Sequence, residues 1–177
     1  MPPDVADALD RMSRGLPSAS WVAPEDMHLT LSFLGNVDDG TFVDLGERLT
    51  SVWQAPFDLE LRGLGHFPPR GPIRQLWVGG SGGLGLGRLR RSVNACAADV
   101  GISIPRRKFV PHVTIARFRM PPEEVRLASY LQRHSLVRMS PFPVSGFGLY
   151  SSFPSRAGTE HVLEAEYDFV TGAMIRH

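Results

Sequence analysis

Phe109-Val110-Pro111-His112-Val113-Thr114-Ile115-Ala116-Arg117 is the stretch on which the fold turns, because Met27-His28-Leu29-Thr30-Leu31-Ser32-Phe33-Leu34 follows the same pattern. In each, a histidine and the threonine two residues later alternate with apolar side chains. Successive side chains of a strand point to opposite faces. Each stretch therefore predicts a strand with His and Thr on one face. Met27, Leu29, Leu31 and Phe33 share the other face in residues 27–34, and Val113 and Ile115 do so in residues 109–116. Six histidines and six threonines in 177 residues give about 0.2 His-x-Thr triplets by chance. The chain has two, separated by 112 − 28 = 84 residues, which predicts one copy in each of two related lobes.

Outward from these stretches, Val5, Ala8, Leu9, Met12 and Leu16 recur at helical spacing behind Pro2 and Pro3, which suit a helix start. Phe42, Leu45, Leu49, Val52 and Trp53 form a second helical stripe with acidic residues ahead of it. Residues 57–62 alternate cleanly and predict a strand; residues 73–78 predict another after the Pro/Gly-rich turn at 68–72. Leu86, Leu89, Val93, Cys96, Ala97 and Val100 mark a third helix, ended by Gly101. A short helix is expected over 122–134, and closing strands over 143–150 and 161–169. In the last of these, Leu163, Ala165, Tyr167 and Phe169 alternate with Glu164, Glu166 and Asp168. Strands with intervening helices, twice over, predict an α+β protein: a single domain over residues 1–177 built of two lobes.

The net charge is +1, so no global field draws the protein to nucleic acid or membrane, and any attraction to phosphate must be local. The single cysteine, Cys96, excludes an intramolecular disulfide and a Cys-based metal cluster, and it falls on a helix's apolar stripe. No apolar run approaches the roughly 20 residues that span a bilayer. Met1-Pro2-Pro3-Asp4 lacks the features of a secretory signal, so a cytoplasmic protein is expected.

Opening a phosphodiester needs a base for the attacking oxygen and an acid for the leaving one. Imidazole can do either near neutrality. One neutral and one protonated imidazole, His28 and His112, complete an in-line displacement without metal. Thr30 and Thr114, two residues along the same faces, can donate to non-bridging phosphate oxygens. A lone histidine on a half-buried strand is ordinarily a packed residue; two with matching apolar flanks shift the balance toward chemistry. Metal ligation is the weaker reading, since the chain has no HExxH and no paired cysteines, and the carboxylates near the first motif are Glu25 and Asp26 alone.

Residues 79–87, Gly-Gly-Ser-Gly-Gly-Leu-Gly-Leu-Gly, lack the GxxxxGK[ST] pattern and are expected to be a flexible strand-to-helix connection. Arg88, Arg90 and Arg91, and Arg106-Arg107-Lys108, read first as solvated faces. The functional alternative has residues 106–108 rimming a cleft and meeting RNA phosphates. Phe33, Trp77 and Tyr150 could stack on a terminal base, against the commoner core role of strand aromatics. His66, His134, His161 and His177 match no partner pattern.

With residues 21–35, Trp-Val-Ala-Pro-Glu-Asp-Met-His-Leu-Thr-Leu-Ser-Phe-Leu-Gly, and residues 109–117, the chain resembles the 2H phosphoesterases. Within them it resembles the RNA 2′,3′-cyclic phosphodiesterases, first described as 2′-5′ RNA ligases. Residues 57–67 and Leu76-Trp77-Val78-Gly79 are similar to the same branch, so the likeness covers most of the chain. The resemblance implies a bilobal fold of two antiparallel sheets with outer helices and a central cleft. It implies His28 as proton donor and His112 as proton acceptor, Thr30, Thr114 and Arg117 as phosphate-binding residues, and no cofactor. The implied partners are RNA ends or oligonucleotides carrying a 2′,3′-cyclic phosphate, with no membrane and no obligate protein partner. The alternatives are a same-site enzyme on 2′,5′-linked or small cyclic nucleotides, including reverse 2′-5′ ligation, and a non-catalytic RNA-end binding module. Family members usually open with a hydrophobic strand where this chain has Met1-Pro2-Pro3, so either the natural start lies upstream or one sheet is a strand short. Strict alternation from His112 points Arg117 at the core, and a bend or bulge after Ala116 is expected to turn it back.

Overall fold

A computed structural model describes residues 1–105, 107–155 and 158–176. The chain divides into two compact units, Met1–Thr30, Leu59–Ser81 and Phe109–Phe142 in the first, and Leu31–Asp58, Gly82–Lys108 and Pro143–His177 in the second. Among the described residues no helix is long and apolar enough to cross a membrane.

The first unit opens with α1 (Pro3–Asp10), which has Pro at its N-terminus and buries Val5, Ala6 and Leu9. Its strands are β1 (Ala19–Trp21), β2 (Phe57–Phe67, whose first two residues belong to the second unit), β3 (Gln75–Ser81) and β4 (His112–Phe118). The sheet order is β1-β4-β3-β2, and the β1–β4, β4–β3 and β3–β2 pairings are antiparallel; the short β5 (Phe142–Val144) begins at the last residue of this unit. Leu61, Leu76, Val78, Val113 and Ile115 are fully buried on one face of this sheet. A helix over Glu124–Arg133, α4 in chain order, buries Tyr130, whose hydroxyl donates to the Met12 carbonyl at 2.9 Å.

The second unit holds α2 (Asp39–Leu49), α3 (Gly83–Asp99) and a three-stranded antiparallel sheet of β6 (Gly146–Ser155), β7 (Gly158–Asp168) and β8 (Met174–Arg176). Asp38 caps α2 by accepting from the Thr41 N–H at 3.0 Å. Its core joins Leu45 and Leu49 of α2, Leu89, Val93, Cys96 and Ala97 of α3, and Leu149, Ala165, Tyr167 and Phe169 of the sheet side. The Tyr167 hydroxyl is satisfied by the Gly46 carbonyl at 3.0 Å.

Several expectations need correction. Residues 27–34 are not a strand: one isolated bridge, Leu29 to Val113, is all that pairs, and Phe33 turns outward, 75% exposed. Residues 116–118 of β4 pair with β1, a strand that periodicity did not reveal. The glycine run is not a flexible connection. Gly79, Gly80 and Ser81 end β3 and α3 begins at Gly83, leaving Gly82 alone between them. Trp53 lies beyond α2 and is 72% exposed. Residues 143–150 divide between β5 and β6, and β8 is additional. A register shift between Leu149 and Tyr150 sets Leu163 opposite Tyr150, so Leu163 leaves the face that carries Ala165 and Tyr167. Arg106 and His177 lie outside the described residues.

Candidate active site

Both His-x-Thr segments belong to the first unit rather than one to each. The Leu29–Val113 bridge is antiparallel, so continuing it one residue either way sets His28 on the side of Thr114 and Thr30 on the side of His112. On β4, Val113 takes the buried face and His112 and Thr114 take the other. The two triplets are thus one crosswise unit, built where the loop after the turn Pro24–Asp26 touches β4.

The two imidazoles are held alike. Nδ1 of His28 bonds the carbonyl of Asp26 at 2.7 Å, and Nδ1 of His112 bonds the carbonyl of Val110 at 2.7 Å. A carbonyl only accepts, so each Nδ1 carries its hydrogen and each neutral ring presents its lone pair at Nε2. The backbone two residues upstream therefore selects the same tautomer twice. His28 is exposed, whereas His112, Thr30, Thr114 and Arg117 are half-buried.

β4 buries Val113, Ile115, Ala116 and Phe118. Two buried residues in succession mark a bulge: Leu76 pairs with Ala116, Trp77 with Thr114, and Ile115 is passed over. The expected bulge thus falls just before Ala116 rather than after it. Its effect is to return Arg117 to the face of His112 and Thr114, between Ser20 of β1 and Gln75 of β3. The Arg117 Nε is buried without a hydrogen-bond partner.

Aromatic residues wall His112. The Phe67 ring meets it edge-on at 5.0 Å, Trp77 lies at 5.7 Å, and Phe67 and Trp77 are 5.3 Å apart. Trp77 stands directly between Gly65 and Thr114 across the sheet, and Gly79 stands opposite His112. Phe67 was missed in the sequence; its proximity to His112 comes from strand register, although Gly65 two residues before it is the kind of in-strand glycine that signals close packing. Phe33 and Tyr150, the other two proposed stacking residues, belong to the second unit and are exposed. Among the described residues no three His, Cys, Asp or Glu side chains gather as a metal site.

Fold and site together define a class: an α+β protein whose two His-x-Thr segments are joined by an antiparallel bridge. The profile of the LigT-like phosphoesterases matches residues 1–77 and 82–159. An RNA 2′,3′-cyclic phosphodiesterase of Aeropyrum pernix is 37% identical over 138 residues, 77% of this chain and 78% of the relative. One of Thermotoga maritima is 31% identical over 173 residues, 94% of this chain and 87% of its own. In structure, TT0787 of Thermus thermophilus superposes with a TM-score of 0.77 at 27% identity, covering 96% of this chain and 93% of that one. This chain belongs to the LigT-like phosphoesterase family, within the 2H superfamily.

Proposed function

We propose that this protein hydrolyses the 2′,3′-cyclic phosphate at RNA ends to a 2′-phosphomonoester, using two histidines and neither metal nor nucleotide cofactor. The observation that carries the reading is the matched anchoring of the imidazoles, each through Nδ1 to a carbonyl at 2.7 Å, on segments that pair antiparallel. The names of the relatives supply the substrate class, RNA ends or oligonucleotides bearing the cyclic phosphate.

His112 Nε2 takes a proton from water as the water oxygen bonds to phosphorus. The bond from phosphorus to the 3′ oxygen breaks, and His28 Nε2–H protonates that oxygen, leaving a 3′ hydroxyl and a 2′ phosphate. Thr30 and Thr114 donate to the non-bridging oxygens as charge builds, and the Arg117 guanidinium neutralises it. The assignment of His28 as donor and His112 as acceptor follows the family resemblance.

An oligonucleotide ending in a 2′,3′-cyclic phosphate should be opened in the presence of EDTA, with a bell-shaped pH profile because one imidazole must be charged while the other is neutral. His28→Ala and His112→Ala should each lower kcat about 10²- to 10⁴-fold. Full activity in either variant, or loss of activity to chelator alone, overturns the mechanism. Running 2′,5′-linked dinucleotides and small cyclic nucleotides beside the RNA end tests the substrate, since faster turnover of either would reassign it.

A further inference from the structure

A cavity of about 530 Å³ lies wholly within the second unit, between α3 and the segment that returns from its C-terminus. Arg90, Asn94 and Ala98 stand four residues apart on α3, so one stripe of the helix makes its wall. Ile102, which is buried, and Ile104, which is half-buried, make an apolar floor, and the exposed Arg107 stands at the rim.

Two hydrogen bonds orient that wall. Arg90 Nε donates to the Leu31 carbonyl at 3.2 Å, and the Ser32 hydroxyl donates to Asn94 Oδ1. The second bond occupies the amide oxygen, so the group Asn94 has left for a ligand is its NH₂. The polar side chains of the cavity therefore offer donors and positive charge, and among the described lining residues there is no carboxylate. Cavities of about 300–1,000 Å³ take small organic ligands. An apolar floor with guanidinium and amide donors suits a nucleotide, base against the isoleucines and phosphate at Asn94 and Arg107. Leu31 and Ser32, the two residues the wall grips, directly follow Thr30 in the chain.

We propose that this cavity is a docking site for the body of the RNA, taking a phosphodiester-linked nucleotide away from the cyclic end. The identity of the ligand rests on the activity proposed above, while the anion-binding chemistry of the cavity does not. Asn94→Asp keeps an acceptor for Ser32 and replaces the amide donor with a negative oxygen; Arg107→Gln removes one positive charge at the rim. Binding of a fluorescent decanucleotide with an ordinary 3′ hydroxyl, followed by anisotropy, reads the site without any turnover. Each variant should weaken that binding about tenfold at low salt, and Arg107→Gln should also shallow the salt dependence by about 0.7 in log–log slope. Turnover of a mononucleotide 2′,3′-cyclic phosphate should be unchanged in both, while KM for a decamer bearing the cyclic end rises. Unchanged decamer binding in both variants overturns the proposal, as does an equal loss on the mononucleotide. Displacement of the decamer by equimolar inorganic phosphate or AMP also overturns it, assigning the cavity to a small free anion. A protein that binds the decamer through Asn94 and Arg107 but opens no cyclic phosphate supports the site and refutes the activity, so the two failures are distinct.

Discussion

A Cβ at Gly65 would stand 2.1 Å from the Trp77 ring, so glycine is what lets the indole lie across β2 next to His112. The hydrogen bond to Val110 fixes the tautomer of His112, and the Phe67 and Trp77 rings fix the plane in which it sits. Phe67→Leu retains apolar bulk and removes the edge-on contact. It should lower kcat about two- to tenfold, in line with the roughly 0.5–1.5 kcal/mol of such ring pairs. Gly65→Ala should cost about 1–3 kcal/mol of stability as the indole is displaced, with kcat falling more than KM changes. Denaturant melts and steady-state kinetics check both. Unaltered kinetics in both variants would leave the aromatic pair with packing alone. His28, Thr30, His112 and Thr114 stood out in the sequence because a period of two and a repeated triplet are written directly in the residue order. Phe67 did not, since its proximity to His112 is created by register between strands rather than by any local pattern.

The bulge at Ile115 shows how an element gives up regularity to turn a side chain to its other face. Arg117 reaches the polar face at the cost of a buried Nε with no partner. Arg117→Met should therefore raise stability by about 1 kcal/mol, the desolvation of the unpaired group being relieved, while kcat/KM on a cyclic phosphate falls at least tenfold. Thermal melting beside kinetics tests the pairing of gain and loss; a destabilised variant would contradict it. A bulge was expected after Ala116 to reconcile alternation with the role the family resemblance implies for Arg117, and it lies just before Ala116. The glycine run was misread in the sequence, because an absent side chain looks the same in a loop as in tight packing. Here the space belongs to Phe57, whose ring would lie within 2.8 Å of a Cβ at Gly82 and 2.5 Å of one at Gly85. Gly85→Ala gains about 1 kcal/mol of helix propensity but meets that ring. The clash, about 1–3 kcal/mol, should decide the sign and lower the midpoint of unfolding.

Each of the two units carries buried side chains of its own, and both contain a tyrosine whose hydroxyl closes on a distant carbonyl. Burial pushes the Tyr130 phenol up to about 12. Free tyrosine titrates near 10, so the unfolded chain gives up this proton first. The stability tied to neutral Tyr130 is whole below about pH 10 and is lost as pH rises through 12. Tyr130→Phe should cost about 1 kcal/mol near neutrality, for the Met12 carbonyl left unpaired, and should flatten the alkaline decline in melting temperature. The repeated triplet was read as one copy in each of two lobes, and the course of the chain departs from that reading. The chain crosses between units at Thr30–Leu31 and again at Asp58–Leu59, Ser81–Gly82, Lys108–Phe109 and Phe142–Pro143, which sends both triplets to the same unit. The paired anchoring of the rings has one further consequence. With both Nδ1 atoms tied to carbonyls, Nε2 is the nitrogen through which each ring loads and unloads. On the proposed roles a turnover leaves His112 charged and His28 discharged, the inverse of the starting arrangement. The catalyst must be recharged before it can fire again, and the exposed ring of His28 is where bulk water can do it.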